Sequence, residues 1–156
     1  MMPPLQLQAK DFASYLGKEL GVSPWLLIDQ QRVDQFAAVG GDQQWIHTDP
    51  ERAAAQTNFG GSIAHGYLIL ALAPLLMSQV FTVTNGRMGV NRGFDKLRFI
   101  NPLKVGDKLR LRLAVMAVAA SVESEPAYID VKYKLQFEGE NYPKPVCVAE
   151  LLKRWY

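Results

Sequence analysis

The sequence has little cysteine, and this excludes several classes of site. Its 156 residues contain one cysteine, Cys147, so an internal disulfide is excluded. A zinc site built around Cys147 is also excluded, because only the two histidines, His47 and His65, could join it. With no disulfide framework, the reducing cytoplasm is the expected compartment.

Long apolar segments and a strong charge of one sign are also missing. The longest apolar run covers Tyr67–Met77, 11 residues with Pro74 inside it, whereas a membrane span needs about 20. Residues 1–10 hold two prolines and two glutamines and lack the apolar core of a signal segment. The net charge is only +2, from 17 basic and 15 acidic residues, which argues against a basic nucleic-acid surface. We therefore expect neither a membrane nor a nucleic-acid partner.

The first half of the chain has helical patterns. The length predicts one domain, residues 1–156. Apolar spacing predicts a helix in residues 31–39, which Gly40 and Gly41 end. Pro50 is suited to begin a short helix over residues 51–56. The run from Tyr67 is apolar on nearly every face, which predicts a helix surrounded by protein and kinked at Pro74.

The second half of the chain alternates apolar and polar residues, as strands with one wet face do. The pattern predicts four strands, near residues 88–100, 108–119, 127–138 and 144–155, and residues 25–28 could form another. Helices followed by strands indicate the α+β class. An antiparallel sheet that curls around the apolar helix would bury that helix.

Asp42 and His47 lie in one polar loop between two predicted helices. A carboxylate and an imidazole at this spacing can converge on one water, and imidazole exchanges protons near neutral pH. The alternative is a solvated loop in which the aspartate caps a helix and the histidine lies on the surface. The spacing alone leaves both interpretations open.

His65 and Gly66 stand at the start of the predicted buried helix. Free N–H groups there can stabilise a developing oxyanion, and glycine lets a ligand approach the backbone closely. The alternative for Gly66 is tight packing of the helix entry against the sheet. His65 has apolar neighbours, so a structural histidine is the alternative to a functional one.

Basic residues follow, among them Lys96 and Arg98, which could contact phosphates of an anionic ligand or form a solvated face. A nucleophile elbow, a phosphate-binding glycine loop and an HExxH zinc motif are all missing from the sequence.

Two segments, GDQQWIHTDPERAA and FGGSIAHGYLILAL, resemble the signature of the MaoC-like dehydratases, the (R)-specific enoyl-CoA hydratases. Asp42 and His47 match the ends of that family's D-x-N-P-x-H motif, and His65-Gly66 match its I-x-H-G motif. Gln44-Trp45, in place of Asn-Pro, is similar to the branch named after nodulation protein N. The resemblance runs from about Trp25 to Arg154.

The resemblance implies a hot-dog fold, in which an antiparallel sheet wraps around a long central helix, and a homodimer with its sheets joined edge to edge. It implies reversible syn addition of water to a trans-2-enoyl-CoA, giving an (R)-3-hydroxyacyl-CoA. Asp42 and His47 would hold the water, His47 would act as base, and the Gly66 N–H would polarise the thioester carbonyl. No cofactor or metal is expected, since the CoA thioester is the substrate.

The resemblance also suggests substrate contacts for Gln44, His65 and Tyr67, with Lys96 and Arg98 as candidates for the CoA phosphates. Gln44 departs from the family's asparagine, and its longer amide cannot bond in the same geometry. Two other functions stay open: a hot-dog acyl-CoA thioesterase, or a non-catalytic subunit that binds acyl-CoA. The absence of a carboxylate from Tyr67 to Met77 argues against the thioesterase, and the presence of both Asp42 and His47 argues against the non-catalytic subunit.

Overall fold

Residues 3–125 and 127–156 are described by the structure, a computed structural model. Five helices lie in the first half of the chain, and a 3₁₀ helix (Ala9–Tyr15) precedes them. The helices are α1 (Gln30–Gly40), α2 (Trp45–Thr48), α3 (Pro50–Gln56), α4 (Gly66–Ala71) and α5 (Ala73–Ser78). The strands are β1 (Leu5–Leu7), β2 (Glu19–Val22), β3 (Leu26–Leu27), β4 (Phe81–Val83), β5 (Gly89–Phe99), β6 (Lys108–Ser121), β7 (Tyr128–Gly139) and β8 (Cys147–Trp155).

The main sheet is antiparallel, with strand order β2-β6-β7-β8-β5 and with β3 also paired to β6. β1 and β4 form a separate parallel pair. Alternate side chains of β6, β7 and β8 point inward, and these are the buried ones. The inner face consists of Leu109, Leu111, Leu113, Val115, Val131, Tyr133, Leu135, Phe137, Cys147, Ala149 and Leu151.

The sheet wraps around α4 and α5, as the α+β and hot-dog predictions require. The apolar run is divided into two helical segments at Leu72, and Pro74 lies in the first turn of α5. Proline has no N–H to continue the hydrogen-bond ladder, so the break falls where the sequence placed a bend. The inner sides of both segments join the core through Leu68, Ile69, Leu72, Ala73, Leu76 and Met77.

The four predicted long strands are confirmed within a few residues, as are the helices after residues 30 and 50. The short elements β1, β2, β4 and the 3₁₀ helix were not predicted. A strand of three or four residues shows hardly one period of alternation, so pattern reading cannot detect it. In β2 the positive φ of Gly21, 152°, and a register shift break the alternation further.

Strand β5 forms one edge of the main sheet, and its exposed residues include apolar as well as charged side chains. Among the described residues β5 pairs only with β8, and the side chains of Val90, Phe94 and Phe99 on it are exposed. On the adjoining helices Tyr67 is 70% exposed and Leu75 is also exposed. The expectation that the apolar helix is surrounded on all sides is therefore wrong for the single chain along this edge.

Among the described residues, no helix has the length and apolarity needed to cross a membrane.

Candidate active site

A cleft of about 440 Å³ opens between the α2 segment, the start of α4 and the end of β5. Asp42, His47 and Gly66 are among the residues that line it. Most of the remaining wall is apolar and is formed by Ile63, Ile69, Phe99, Ile100, Pro102 and Leu103. The cleft therefore combines a small proton-exchanging group with a long apolar surface.

His47 lies in the short helix α2, inside the segment predicted as a loop, and is buried. Its Nδ1 lies 2.7 Å from the carbonyl oxygen of Ile63. Because that oxygen can only accept, Nδ1 carries the proton and Nε2 keeps a lone pair. Burial lowers the pKa of His47 below its ordinary value, although the bond to Ile63 opposes the shift. The neutral imidazole is thus favoured, with its basic nitrogen toward Asp42.

Asp42 follows the left-handed Gly41 that ends α1, where φ is 76°. The Asp42 carboxylate accepts hydrogen bonds from the backbone N–H of Gln44 at 3.3 Å and from the Gln44 Nε2 at 3.2 Å. The Gln44 backbone bond is the main cause that lowers the pKa of Asp42 below its ordinary value. Gln44 therefore holds the carboxylate in its ionised form.

The Asp42 Oδ2 and the His47 Nε2 are 4.0 Å apart. This distance is too long for a direct hydrogen bond, but one water at about 2.8 Å from each atom would bridge them. The geometry therefore supports the interpretation of a shared water over that of a solvated loop.

His65 is another of the residues that line the cleft, and it is only 2% exposed. Its Nε2 donates to the backbone carbonyl of Asp42 at 3.0 Å, and its ring stacks on the ring of His47 with centroids 3.8 Å apart. Its Nδ1 is buried and has no hydrogen-bond partner among the described residues. The hydrogen bond to Asp42 and the ring stacking on His47 both join His65 to other residues of the site. Contact between His65 and a substrate stays a prediction.

Gly66 is the first residue of α4, so its N–H has no acceptor within the helix. A Cβ at this position would lie 2.8 Å from the Phe99 ring. The tight packing considered as an alternative is therefore present, and it is a sufficient reason for a glycine at position 66. The role of the N–H toward a carbonyl stays a prediction compatible with this packing.

Of the other residues predicted to contact the substrate, one lies in the cleft and two lie on the surface. Tyr67 lines the cleft and meets Phe99 edge to face, with centroids 6.1 Å apart. Lys96 and Arg98 do not line it, and the Lys96 Nζ lies 3.1 Å from the Glu150 Oε1. Their contact with phosphates stays a prediction, and it would concern a part of the ligand outside the cleft.

Gln30 and Ser62 were missed by the sequence analysis. The Gln30 Nε2 donates to the backbone carbonyl of His47 at 2.7 Å, and the Ser62 hydroxyl donates to the Gln30 Oε1. Neither residue belongs to a motif position with a known chemical role, and Gln30 is 17 residues from His47. A side-chain bond to a distant backbone atom leaves no periodic signal, so only the folded structure could show it.

The ligand atoms of Asp42, His47 and His65 lie within 4.8 Å of one another, close enough to consider a metal ion. However, the planes of the two imidazoles are only 25° from parallel. Lone pairs lie in the ring planes, so stacked rings direct them side by side and not toward one ion. This geometry fits a metal poorly, and the absence of a metal from the reaction stays a prediction.

The chain matches the family described as "MaoC like domain" over residues 11–137. It is 40% identical to the 3-hydroxyacyl-thioester dehydratase Z of Mycobacterium tuberculosis over 145 residues, which cover 93% of each chain. It is also 38% identical to nodulation protein N of Rhizobium meliloti over 145 residues, covering 92% of this chain and 88% of the relative.

Among solved structures, the unliganded R-hydratase PhaJ1 from Pseudomonas aeruginosa is similar to this chain with a TM-score of 0.64. The two are 27% identical, and the similarity covers 84% of this chain and 76% of the other. The resemblance to the dehydratases and to the nodulation protein N branch is thus confirmed, together with the hot-dog fold.

The electrostatics of the site predict how His47 titrates. We expect the His47 imidazole to titrate below its ordinary value in an NMR pH titration, because burial disfavours its charged form. Asp42→Asn should lower this pKa further, since it removes the negative charge that favours the imidazolium. His65→Gln assigns the two signals. A His47 pKa at or above that of a free imidazole would contradict this description.

Proposed function

This chain belongs to the MaoC-like dehydratase family of hydro-lyases, and from that membership we propose that it is an (R)-specific enoyl-CoA hydratase. The proposed reaction is the reversible syn addition of water to a trans-2-enoyl-CoA, giving an (R)-3-hydroxyacyl-CoA. The observation that carries the proposal is the 4.0 Å gap between the Asp42 Oδ2 and the His47 Nε2 in a cleft whose wall is largely apolar.

The proposed roles follow from the protonation states of the pair. Neutral His47 takes a proton from the shared water through Nε2 as the water's oxygen attacks the β-carbon. Ionised Asp42 orients the same water, and the proton that His47 has taken then passes to the α-carbon, with Asp42 taking part in that delivery, so that both residues return to their starting protonation states. One water on one face of the double bond explains both syn addition and a single product configuration.

The Gly66 N–H completes the proposed mechanism by donating to the thioester oxygen. Attack on the β-carbon produces an enolate whose negative charge lies largely on that oxygen, so the donor stabilises the transition state more than the substrate. The apolar wall from Ile69 to Leu103 then holds the acyl chain, and Tyr67 lies at its exposed side. A resident cofactor has no step in this mechanism.

Two alternatives have less support. A thioesterase of this fold would place a nucleophile or base on the central helix, and α4 and α5 carry no carboxylate. A non-catalytic acyl-CoA-binding subunit would have no need of Asp42 and His47 held across a water-sized gap. Action in the cytoplasm, within fatty acid metabolism, stays part of the proposal.

We also propose that the chain forms a homodimer through the β5 edge. This edge offers unpaired backbone groups and the exposed apolar side chains of Val90, Phe94 and Phe99. Such an edge promotes pairing with another strand, and Phe99 connects it to the cleft through its contact with Gly66. A second copy across this edge would cover the exposed side of the helices.

Loss of either member of the pair should abolish hydration. We expect the purified protein to hydrate crotonyl-CoA, measured as loss of enoyl-thioester absorbance. Asp42→Asn and His47→Gln should each lower kcat/KM by about 10²–10⁴-fold, the usual contribution of a general acid or base. A coupled (R)-specific dehydrogenase identifies the product.

The control for both variants is Glu123→Gln, on the exposed connection between β6 and β7, which should keep the wild-type rate. A folded wild-type protein that hydrates neither short nor long enoyl-CoA would contradict the proposed substrate. Release of free CoA would instead favour the thioesterase.

A charge on the β5 edge should separate the dimer. We expect a dimer in size-exclusion chromatography with light scattering, and a monomer for Phe94→Glu, because the charge would have to be buried between the sheets. Val39→Glu is the matched control, since Val39 is 90% exposed on α1 and lies outside this edge. A wild-type monomer, or a Phe94→Glu variant that stays dimeric, would contradict the proposed edge.

A further inference from the structure

Gln30 begins α1 and makes hydrogen bonds to two segments of the site. Its Nε2 donates to the backbone carbonyl of His47 at 2.7 Å and to the Asp34 Oδ1 at 2.7 Å. Its Oε1 accepts a hydrogen bond from the Ser62 hydroxyl at 2.5 Å. These partners fix the amide's orientation, because a half turn would place the Oε1 against two oxygen acceptors.

The two segments that Gln30 joins both determine the state of His47. The first carries the backbone of His47 itself. The second carries buried Ser62 and, next to it, Ile63, whose carbonyl oxygen accepts the His47 Nδ1–H at 2.7 Å. The Ile63 N–H donates in turn to the carbonyl of Ile46 at 3.0 Å. Gln30 therefore links the imidazole's backbone to the segment that holds the imidazole's proton.

We propose that Gln30, held by Ser62, is a positioning residue that keeps His47 in the Nδ1–H tautomer. The catalytic half of this proposal rests on the proposed hydratase function. Gln30 touches no substrate and acts through His47: if the two segments shift, the Nδ1–H loses its aligned acceptor. Neutral His47 is then a mixture of the Nδ1–H and Nε2–H tautomers. In the Nε2–H tautomer the Nε2 atom cannot accept a proton from the water.

The test compares Gln30→Met with Gln31→Met. Methionine keeps the length of the side chain and removes all three hydrogen bonds, while Gln31, the next residue, is exposed. Gln30→Met should lower kcat by about 10–100-fold, the cost of a misplaced catalytic group, with KM little changed. Gln31→Met should match the wild type in both.

A second readout is independent of activity. In ¹⁵N-NMR spectra at a pH where both histidines are neutral, wild-type His47 should show one tautomer, with the proton on Nδ1. In Gln30→Met it should show a mixture of tautomers. His65 is the internal reference, because its Nε2 donates to the Asp42 carbonyl and it should keep the opposite tautomer.

Gln30→Met that retains the wild-type kcat overturns the proposal, as does a loss of kcat with the single tautomer intact. If the wild-type protein hydrates no thioester, the proposed function fails, and the tautomer measurement alone still decides the positioning role. Ser62→Ala tests the same link by removing only the hydroxyl, and it serves if Gln30→Met does not fold. A Ser62→Ala protein with wild-type kcat and an unchanged tautomer also overturns the proposal.

Discussion

The hydrogen bond from the His47 Nδ1–H to the carbonyl of Ile63, 2.7 Å long, determines what the rest of the site can do. It directs the basic Nε2 toward the carboxylate of Asp42, 4.0 Å away. Burial of the ring keeps it neutral, while Gln44 keeps the carboxylate ionised. A base and an anion are thus available together near neutral pH, with space for one water between them.

The segments that carry the site residues are held in place by contacts with the strands of the main sheet. The segment of Ile63 is bridged to Lys104, just before the long strand β6, and the start of α4 packs against Phe99 of β5. The sheet's inner face and the two central helices share one apolar core, so the cleft wall continues directly from it. The apolar surface that stabilises the fold is therefore also the surface proposed to hold the acyl chain.

The long elements and the proximity of Asp42 and His47 could be predicted from the sequence, for identifiable physical reasons. Alternation over 9 to 14 residues gives β6, β7 and β8 a clear signal. Asp42 and His47 carry chemistry that few other residue types supply. The functions of Gln30 and Gln44 depend on which atom each amide faces after folding. The break at Leu72 and the exposed side of the helices likewise depend on packing that a single sequence does not encode locally.

In the proposed mechanism one water, held between Asp42 and His47, supplies both the hydroxyl and the geometry of proton delivery. The most direct test is to hydrate crotonyl-CoA in D₂O and determine the relative configuration of deuterium at C2 and hydroxyl at C3 in the product. A single water held by this pair should give syn addition with the (R) configuration at C3. An anti product, or a mixture of configurations at C2 formed during addition, would contradict it.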